Sequence, residues 1–256
     1  MGRWILMTVF ILASKSATAQ QAVPDADVLG YAEDLLYGVR TGDETGPTEE
    51  KLRKLDLNRL QQSLPDDRSR TVFWMNLYNA WYQILATREK MKFPWIFRQA
   101  RIPFHGFTLS LDDIEHGILR RYRSAYKPGD APSGTPAEII RRLAVEKPDL
   151  RIHFALNCGA RSCPPIAFYS YSGMNAELDR AMRGFLQSET IVNEKKRTVS
   201  VTRIMDWYAV DFGDTSAQLR LVSEAMGRDL SGYRLEYRGY NWAPKLGNYA
   251  QDTFRN

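Results

Sequence analysis

The apolar segment from Asp67 to Lys90 constrains the fold of this chain more than any other part of its sequence. Apolar residues recur along it at helical spacing, and the bulky side chains of Phe73 and Trp81 are among them. Asp66 and Asp67 open the pattern, where a carboxylate can cap a helix and interact favourably with its dipole. The segment therefore predicts a central core helix.

A polar stripe runs along this predicted helix. Asn76 and Asn79 lie one turn apart, and Gln83 follows them. Such a stripe is usually the exposed edge of an amphipathic helix. On so apolar a helix it can also be a buried strip of amides that holds a neighbouring loop or a ligand through hydrogen bonds.

The first nineteen residues have the three parts of a secretory signal peptide. Arg3 supplies a positive charge, residues 4–13 are mostly apolar, and Ala17-Thr18-Ala19 is a small-residue cleavage site. A helix needs about 20 apolar residues to span a membrane, so this shorter run does not predict a stable membrane span. We expect cleavage before Gln20 and a periplasmic or secreted mature protein in an oxidising compartment.

The remaining sequence suits one domain with an appended segment. Helical spacing predicts an N-terminal helical segment at residues 20–64, followed by a domain at residues 65–256. The formal net charge is +5, but the basic residues are scattered among acidic ones. Without a basic stripe or a recognisable module, we expect no nucleic-acid partner.

Helices that surround a few strands, without alternating strand–helix–strand units, favour an α+β fold. We expect a mostly helical domain with a small, largely antiparallel sheet. Ser110 is predicted to cap a helix that continues to about Arg123. The predicted strands are residues 151–156, 190–192, 198–204 and 233–238, and the middle two form a hairpin.

Both cysteines and one of the three histidines fall within the segment from Arg151 to Pro165. In an oxidising compartment Cys158 and Cys163 can form a disulfide that closes a tight loop and contributes about 2 kcal/mol. Alternatively, Cys158 is a thiolate nucleophile, activated by Arg161 and by the Gly159 N–H, which could also bind an oxyanion. They can also be inert free thiols. A metal site is not expected, because a clear fourth ligand is lacking.

Two histidines could act as a base for Cys158. Five extended residues separate His153 from Cys158 by roughly 16 Å, so direct pairing requires the chain to reverse near Asn157. His116 follows Glu115 on the helix capped by Ser110. Neighbouring helical residues point about 100° apart, so we expect at most one of these two to face a site squarely. The alternative is that both border solvent.

The sequence contains none of the common motifs for serine nucleophiles, zinc proteases, phosphate loops or dinucleotides. The spacing of its cysteines also differs from the Cys-x-x-Cys of thiol oxidoreductases. We therefore expect no cofactor.

Three motifs resemble those of the domain of unknown function 547 family, DUF547, as found in exported bacterial members. They are Phe73-Trp-Met-Asn-Leu-Tyr-Asn-Ala80, Leu111-Asp-Asp-Ile-Glu-His-Gly-Ile-Leu-Arg120 and Arg151-Ile-His-Phe-Ala-Leu-Asn-Cys-Gly-Ala-Arg-Ser-Cys-Pro164. The resemblance covers about residues 64–186. Weaker similarity runs through Trp207-Tyr-Ala-Val-Asp-Phe-Gly213 to Tyr240-Asn-Trp242.

The family has no established activity, but its fold is similar to that of papain-like and transglutaminase-like thiol hydrolases. The resemblance therefore implies Cys158 as nucleophile and His153 or His116 as base. Two departures stand out: Asn241 replaces the aspartate of the family's usual Tyr-Asp-Trp, and the connection at residues 123–150 is lengthened. A carboxylate that could orient a histidine is thus absent at Asn241.

These observations favour an exported, cysteine-dependent hydrolase or acyl transferase that acts on an amide or ester in the cell envelope. The alternatives are a non-catalytic domain that binds a ligand or protein and has a structural Cys158–Cys163 disulfide, and an envelope redox protein. The substrate could be a small molecule, a peptide or an envelope component. The candidate catalytic residues are Cys158, His116, His153, Glu115 and Asn76, and the candidate binding residues are Asn79, Asn157, Gly159 and Arg161.

Overall fold

The computed structural model describes residues 22–122 and 137–251. The predicted signal peptide and the first half of the lengthened connection, residues 123–136, lie outside the described residues. Within them the chain forms ten α-helices, one π-helix, one 3-10 helix and five short strands. The α-helices are α1 (Ala26–Thr41), α2 (Gly46–Arg53), α3 (Leu57–Ser63), α4 (Asp67–Thr87), α5 (Trp95–Arg98), α6 (Ala137–Leu143), α7 (Met174–Glu189), α8 (Ile204–Trp207), α9 (Ala209–Phe212) and α10 (Thr215–Met226).

Helices and a small amount of sheet confirm the predicted α+β class. A two-stranded antiparallel sheet pairs β1 with β2, and a three-stranded sheet has the order β3-β4-β5. Strands β3 and β4 form the predicted hairpin, whereas β5 runs parallel to β4, so the larger sheet is mixed. The strands are β1 (Ile102–Phe104), β2 (Phe107–Leu109), β3 (Ile191–Asn193), β4 (Thr198–Val201) and β5 (Arg234–Tyr237).

Helix α4 is the core helix that the sequence predicts. Its N-terminus is closed by a capping box, in which the Ser69 N–H donates to Asp66 Oδ1 at 2.7 Å. Every residue from Thr71 to Leu85 is buried, and α1 packs along the helix. No described helix combines the length and hydropathy needed to cross a membrane.

A second apolar cluster lies beside the α4 core. It joins Phe185 on α7, Val199 on β4 and Val222 on α10. Phe154 belongs to this second cluster, whereas Ile152, two residues earlier, belongs to the α4 core. The segment that contains Ile152 and Phe154 therefore lies between two cores.

The prediction of a strand at residues 151–156 is wrong. The structure has a 3-10 helix at Leu150–Phe154, and the Asp149 side chain caps it by accepting from the Arg151 N–H at 3.0 Å. The alternation of Ile152 and Phe154 arises because each side chain enters a different core. With three residues per turn, a 3-10 helix can direct consecutive side chains in three directions.

The polar stripe on α4 is a buried strip of amides and not an exposed edge. Asn79 Nδ2 donates to the Ala155 carbonyl at 3.0 Å, and the Asn157 N–H donates to Asn79 Oδ1 at 2.9 Å. Asn76 makes the same paired contact with the backbone of Tyr169, at 2.8 and 3.1 Å. These amides hold irregular segments that pack against α4. Both polar atoms of the Asn76 amide bind the Tyr169 backbone, so the candidate catalytic residue Asn76 braces a loop in this structure.

Replacing Asn79 with alanine should lower the free energy of unfolding by about 2–6 kcal/mol. The variant leaves a buried carbonyl and a buried N–H without partners, and each such loss costs about 1–3 kcal/mol. Urea unfolding followed by circular dichroism measures the change. The control is Gln62→Ala, because Gln62 is exposed on α3 and its loss should change stability by less than about 0.5 kcal/mol. Equal effects of the two variants would contradict the bracing role.

Candidate functional site

A pocket opens where α4, the π-helix (Asp113–Leu119), the loop at residues 157–165 that contains both cysteines (the disulfide loop) and the chain around α8 meet. Its volume is about 110 Å³, smaller than the roughly 300–1,000 Å³ of a site that encloses a drug-sized ligand. It brings together four of the predicted catalytic residues. The lining residues are Tyr78, Phe93, Phe97, Asp112, Glu115, His116, His153, Leu156, Cys158, Cys163, Pro164, Ile204, Trp207, Tyr208, Tyr240 and Trp242.

The helix that follows Ser110 is a π-helix at Asp113–Leu119. Ser110 and Asp113 cap each other, and the Arg120 N–H donates to the Glu115 carbonyl at 2.9 Å, five residues back. This wider helix places both Glu115 and His116 in the pocket. The expectation that only one of them could face the site is therefore wrong, because it assumed α-helical geometry. π-Helices are rare and frequently lie at functional sites.

Glu115 is buried and accepts two tyrosine hydroxyls. Tyr78 donates to Oε2 at 3.0 Å, and Tyr208 donates to Oε1 at 2.6 Å. Burial by itself raises the pKa of Glu115, but the interaction with protonated His116, the Tyr208 hydrogen bond, and the interactions with protonated His153 and with Arg120 outweigh it. The pKa therefore lies below its ordinary value, and the pocket has a buried carboxylate at neutral pH.

One carboxylate oxygen of Asp211, on α9, contacts both Arg120 and His153. Arg120 Nε donates to Asp211 Oδ2 at 2.6 Å, and His153 Nε2 lies 2.8 Å from the same oxygen. An ionised carboxylate only accepts, so His153 Nε2 has to carry a proton, which leaves Nδ1 as the basic nitrogen of the neutral ring. Burial lowers the pKa of His153, so the neutral ring prevails at neutral pH. Tyr208 stacks on His153 with ring centroids 4.0 Å apart.

His116 has the opposite tautomer. Arg120 Nη1 lies 2.8 Å from His116 Nδ1, and a guanidinium can only donate, so Nδ1 accepts. The proton of the neutral ring is therefore on Nε2, which lies 3.7 Å from Asp112 Oδ1. Burial and the charge of Arg120 lower the pKa of His116. The pocket thus contains one histidine suited to accept a proton, His153, and one suited to donate a hydrogen bond, His116.

Asp112 lines the pocket but is not among the site residues predicted from the sequence. Burial and the neighbouring carboxylates Glu115 and Asp113 raise its pKa from 3.8 to about 7, while Arg98 opposes this. A carboxyl group that titrates near neutral pH can take part in proton transfer. Its signal in the sequence is a carboxylate four residues before a histidine on one helix.

Cys158 and Cys163 form a disulfide, with Cα atoms 5.9 Å apart. The described residues contain no free cysteine. The Tyr240 hydroxyl lies 3.1 Å from Cys158 Sγ and 3.0 Å from Cys163 Sγ. Burial raises the pKa of Tyr240 well above its ordinary value, so its hydroxyl stays protonated.

Asn157 and Gly159 shape the turn and lie outside the pocket lining. Asn157 is fully buried, donates to the Pro164 carbonyl at 2.7 Å and accepts from the Gly159 N–H at 2.9 Å. Gly159 has a φ of +72°, and a Cβ there would collide with the Tyr82 ring. Because Asn157 already binds the Gly159 N–H, this N–H does not form the predicted oxyanion site.

The other two candidate binding residues also lie outside the pocket lining. The Arg161 side chain is exposed, and Asn79 is a buried brace.

The C-terminal segment runs beside the disulfide loop. Its backbone pairs with the loop through hydrogen bonds from Arg161 N–H to the Ala243 carbonyl at 2.8 Å and from Lys245 N–H to the Gly159 carbonyl at 2.7 Å. Asn241 contributes to this pairing, since its N–H donates to Ser162 Oγ at 2.9 Å. The histidine-orienting carboxylate that is absent at Asn241 is supplied instead by Asp211, within the Trp207–Gly213 motif.

Replacing Asp112 with asparagine should change how stability depends on pH. Between its ordinary pKa of 3.8 and its folded pKa of about 7, Asp112 is protonated in the folded state and ionised in the unfolded state. The free energy of unfolding therefore falls as pH rises through this window. Asparagine does not ionise, so the free energy of unfolding of the variant lacks this decrease. Between about pH 4 and pH 8 the variant should therefore gain up to about 4 kcal/mol of stability relative to the wild type.

Urea unfolding at several pH values measures this difference. Glu224→Gln is the matched control, because Glu224 is exposed on α10 and its difference from the wild type should stay nearly constant. A constant difference for Asp112→Asn as well would show that Asp112 has an ordinary pKa in the folded protein.

Among the described residues, no group of three or more histidine, cysteine, aspartate or glutamate side chains is arranged to hold a metal ion. No curated protein and no solved structure matches the chain. Residues 62–186 match the model of the family described as "Protein of unknown function, DUF547". This stretch contains α4, the π-helix and the disulfide loop, and thus Glu115, His116, His153 and Cys158. Through residues 62–186 the chain belongs to the DUF547 family.

Proposed function

We propose that the protein is an exported, thiol-dependent hydrolase or acyl transferase for an amide or ester, with Cys158 as a nucleophile that is released when its disulfide is reduced. The observation that carries this proposal is the shared pocket of Cys158 and His153, with His153 oriented by a buried carboxylate, Asp211. A nucleophile, a base and a group that orients the base form the general arrangement for covalent catalysis.

The first step is reduction of the bridge. A dithiol reductant transfers two electrons and two protons, so its two thiols become a disulfide while Cys158 and Cys163 become thiols. This step makes activity depend on the redox state of the compartment. The disulfide itself fits an oxidising compartment outside the cytoplasm, which is where the predicted signal peptide would direct the chain.

Acyl transfer then follows in two halves. Nδ1 of His153 accepts the Cys158 proton, and the thiolate attacks the substrate carbonyl. When the tetrahedral intermediate collapses, the leaving amine or alcohol takes the proton from His153, and a thioester remains on Cys158. Water or another acceptor attacks the thioester, gives its proton to His153 and releases Cys158 as thiolate.

Two further groups support these steps. Tyr240 Oη, which lies within 3.1 Å of both sulfurs and stays protonated, can donate to the oxyanion in place of the Gly159 N–H. His116 can donate from Nε2, and Glu115 fixes Tyr208, whose ring stacks on His153. Preorganised donors of this kind commonly contribute strongly to stabilising the transition state.

A second candidate function is non-catalytic binding. Its supporting observation is the disulfide, which joins the two turn residues and contacts Tyr240 on the C-terminal segment. In this case the bridge fixes the wall of a pocket that binds a ligand or protein, and reduction loosens it without creating an enzyme.

The reactivity of Cys158 tests the proposal. In Cys163→Ser, Cys158 is the single thiol, and its iodoacetamide alkylation rate against pH reports its pKa. We expect this pKa to lie below the ordinary value of about 8.5, because an imidazolium at His153 stabilises the thiolate. His153→Gln should reduce the alkylation rate at neutral pH about tenfold. His105→Gln is the control, since His105 is exposed and outside the pocket lining.

Turnover provides the second measurement. Wild-type protein reduced with a phosphine should release a burst of p-nitrophenol from p-nitrophenyl acetate, close to one per Cys158, whereas the oxidised protein should not. Circular dichroism verifies that each variant remains folded. An ordinary thiol pKa together with no burst would exclude the thiol enzyme and leave the binding function.

A further inference from the structure

Among the described residues that line the pocket, the groups that carry a charge near neutral pH are negative. Glu115 is an ionised carboxylate, Asp112 becomes one as the pH rises through about 7, His116 and His153 have lowered pKa values, and neither lysine nor arginine is among these described lining residues. The charge of Arg120 beneath the pocket is paired with Asp211. Arg98, which is exposed and is not a lining residue, interacts electrostatically with Asp112. The pocket interior is thus electrostatically suited to a cation.

The mouth of the pocket is aromatic and exposed. Phe93, Trp207 and Trp242 are 64%, 42% and 54% exposed. Trp207 and Trp242 stack with centroids 5.5 Å apart, and Phe93 lies 5.9 Å from Trp242. Isolated exposed apolar side chains are common, but three contiguous large aromatic rings at the mouth of a polar pocket mark an interaction site.

Aromatic faces beside carboxylates form a specific kind of binding site. The negative face of an aromatic ring attracts an ammonium group, and tryptophan does so most strongly. Besides the exposed rings at the mouth, Tyr78, Tyr208 and Tyr240 line the interior. The cavity volume of about 110 Å³ admits a compact head group and excludes a whole drug-sized ligand.

We propose that this pocket recognises an ammonium group, either primary or quaternary, on the substrate. The ammonium group contacts the aromatic rings at the mouth and lies toward Asp112 and Glu115, while the rest of the substrate extends out of the pocket. This inference deepens the proposed function by giving the chemical class of its substrate, and it concerns the same site. Binding needs neither a free thiol nor catalysis, so it can be tested on the oxidised protein.

The experiment uses choline as the cationic probe and 3,3-dimethylbutan-1-ol as its neutral carbon isostere. Each is titrated into oxidised protein, and binding is followed by the indole N–H resonances of Trp207 and Trp242, assigned with Trp→Phe variants. We expect choline to shift both resonances and to bind about tenfold more tightly than the isostere. Equal binding of the two probes, or no shift with choline, would overturn the proposal.

Variants locate the site. At about pH 8, where Asp112 is mostly ionised, Asp112→Asn and Trp207→Ala should each weaken choline binding severalfold. Their matched controls are Glu224→Gln, a carboxylate remote from the pocket, and Trp95→Ala, an exposed tryptophan outside the lining. Weakening by the controls to the same extent would place choline elsewhere on the surface and refute the site.

The experiments distinguish failure of the thiol-enzyme proposal from failure of the ammonium-recognition proposal. If choline binds as described but reduced Cys158 has ordinary reactivity, the pocket is a cation-binding site in a non-catalytic protein. If Cys158 is activated but choline and its isostere bind equally, the thiol enzyme stands and the ammonium substrate is excluded.

Discussion

The hydrogen bonds between Asn79 and the backbone on either side of Leu156 connect the core of this protein to its candidate site. Most of helix α4 is buried among apolar side chains, so an amide side chain on it is costly unless it is hydrogen-bonded inside the protein. Asn79 finds its partners in the chain that leaves the 3-10 helix and enters the disulfide turn. The same bonds that make the buried amide tolerable therefore set the position of Cys158 relative to His153.

The site also contains a network of buried charged groups around Arg120. Arg120 is almost fully buried, and its guanidinium contacts both Asp211 and His116. A buried ion pair is costly to desolvate, and replacing such a pair with apolar residues is often neutral or stabilising. The network is therefore better explained by what it does to the two histidines. Asp211 fixes the tautomer of His153 and Arg120 fixes the opposite tautomer of His116, so the two histidines have different chemical roles.

Several elements of the fold could be predicted from the sequence, and for local reasons. The length and periodicity of α4, its Asp66 cap, and the hairpin of β3 and β4 depend on residues close together in the chain. The wrong predictions arise where one local pattern of residues is compatible with more than one structure. The strand predicted at residues 151–156 was inferred from alternating apolar residues, but the alternation reflects two separate cores. The π-helix after Ser110 was read as an α-helix, because spacing alone does not distinguish the two.

By itself, the sequence determined the core helix, the family of residues 62–186 and four of the residues that line the pocket: Cys158, His153, His116 and Glu115. Only the tertiary structure decided what these residues contact. Asp211 lies 58 residues from His153 in the chain, and Tyr240 lies 82 residues from Cys158. Contacts between residues so far apart in the chain depend on how the helices and strands pack, and this packing produces no recognisable spacing of residues in the sequence. The same packing buries Asp112 and raises its pKa, a property that residue identity alone does not carry.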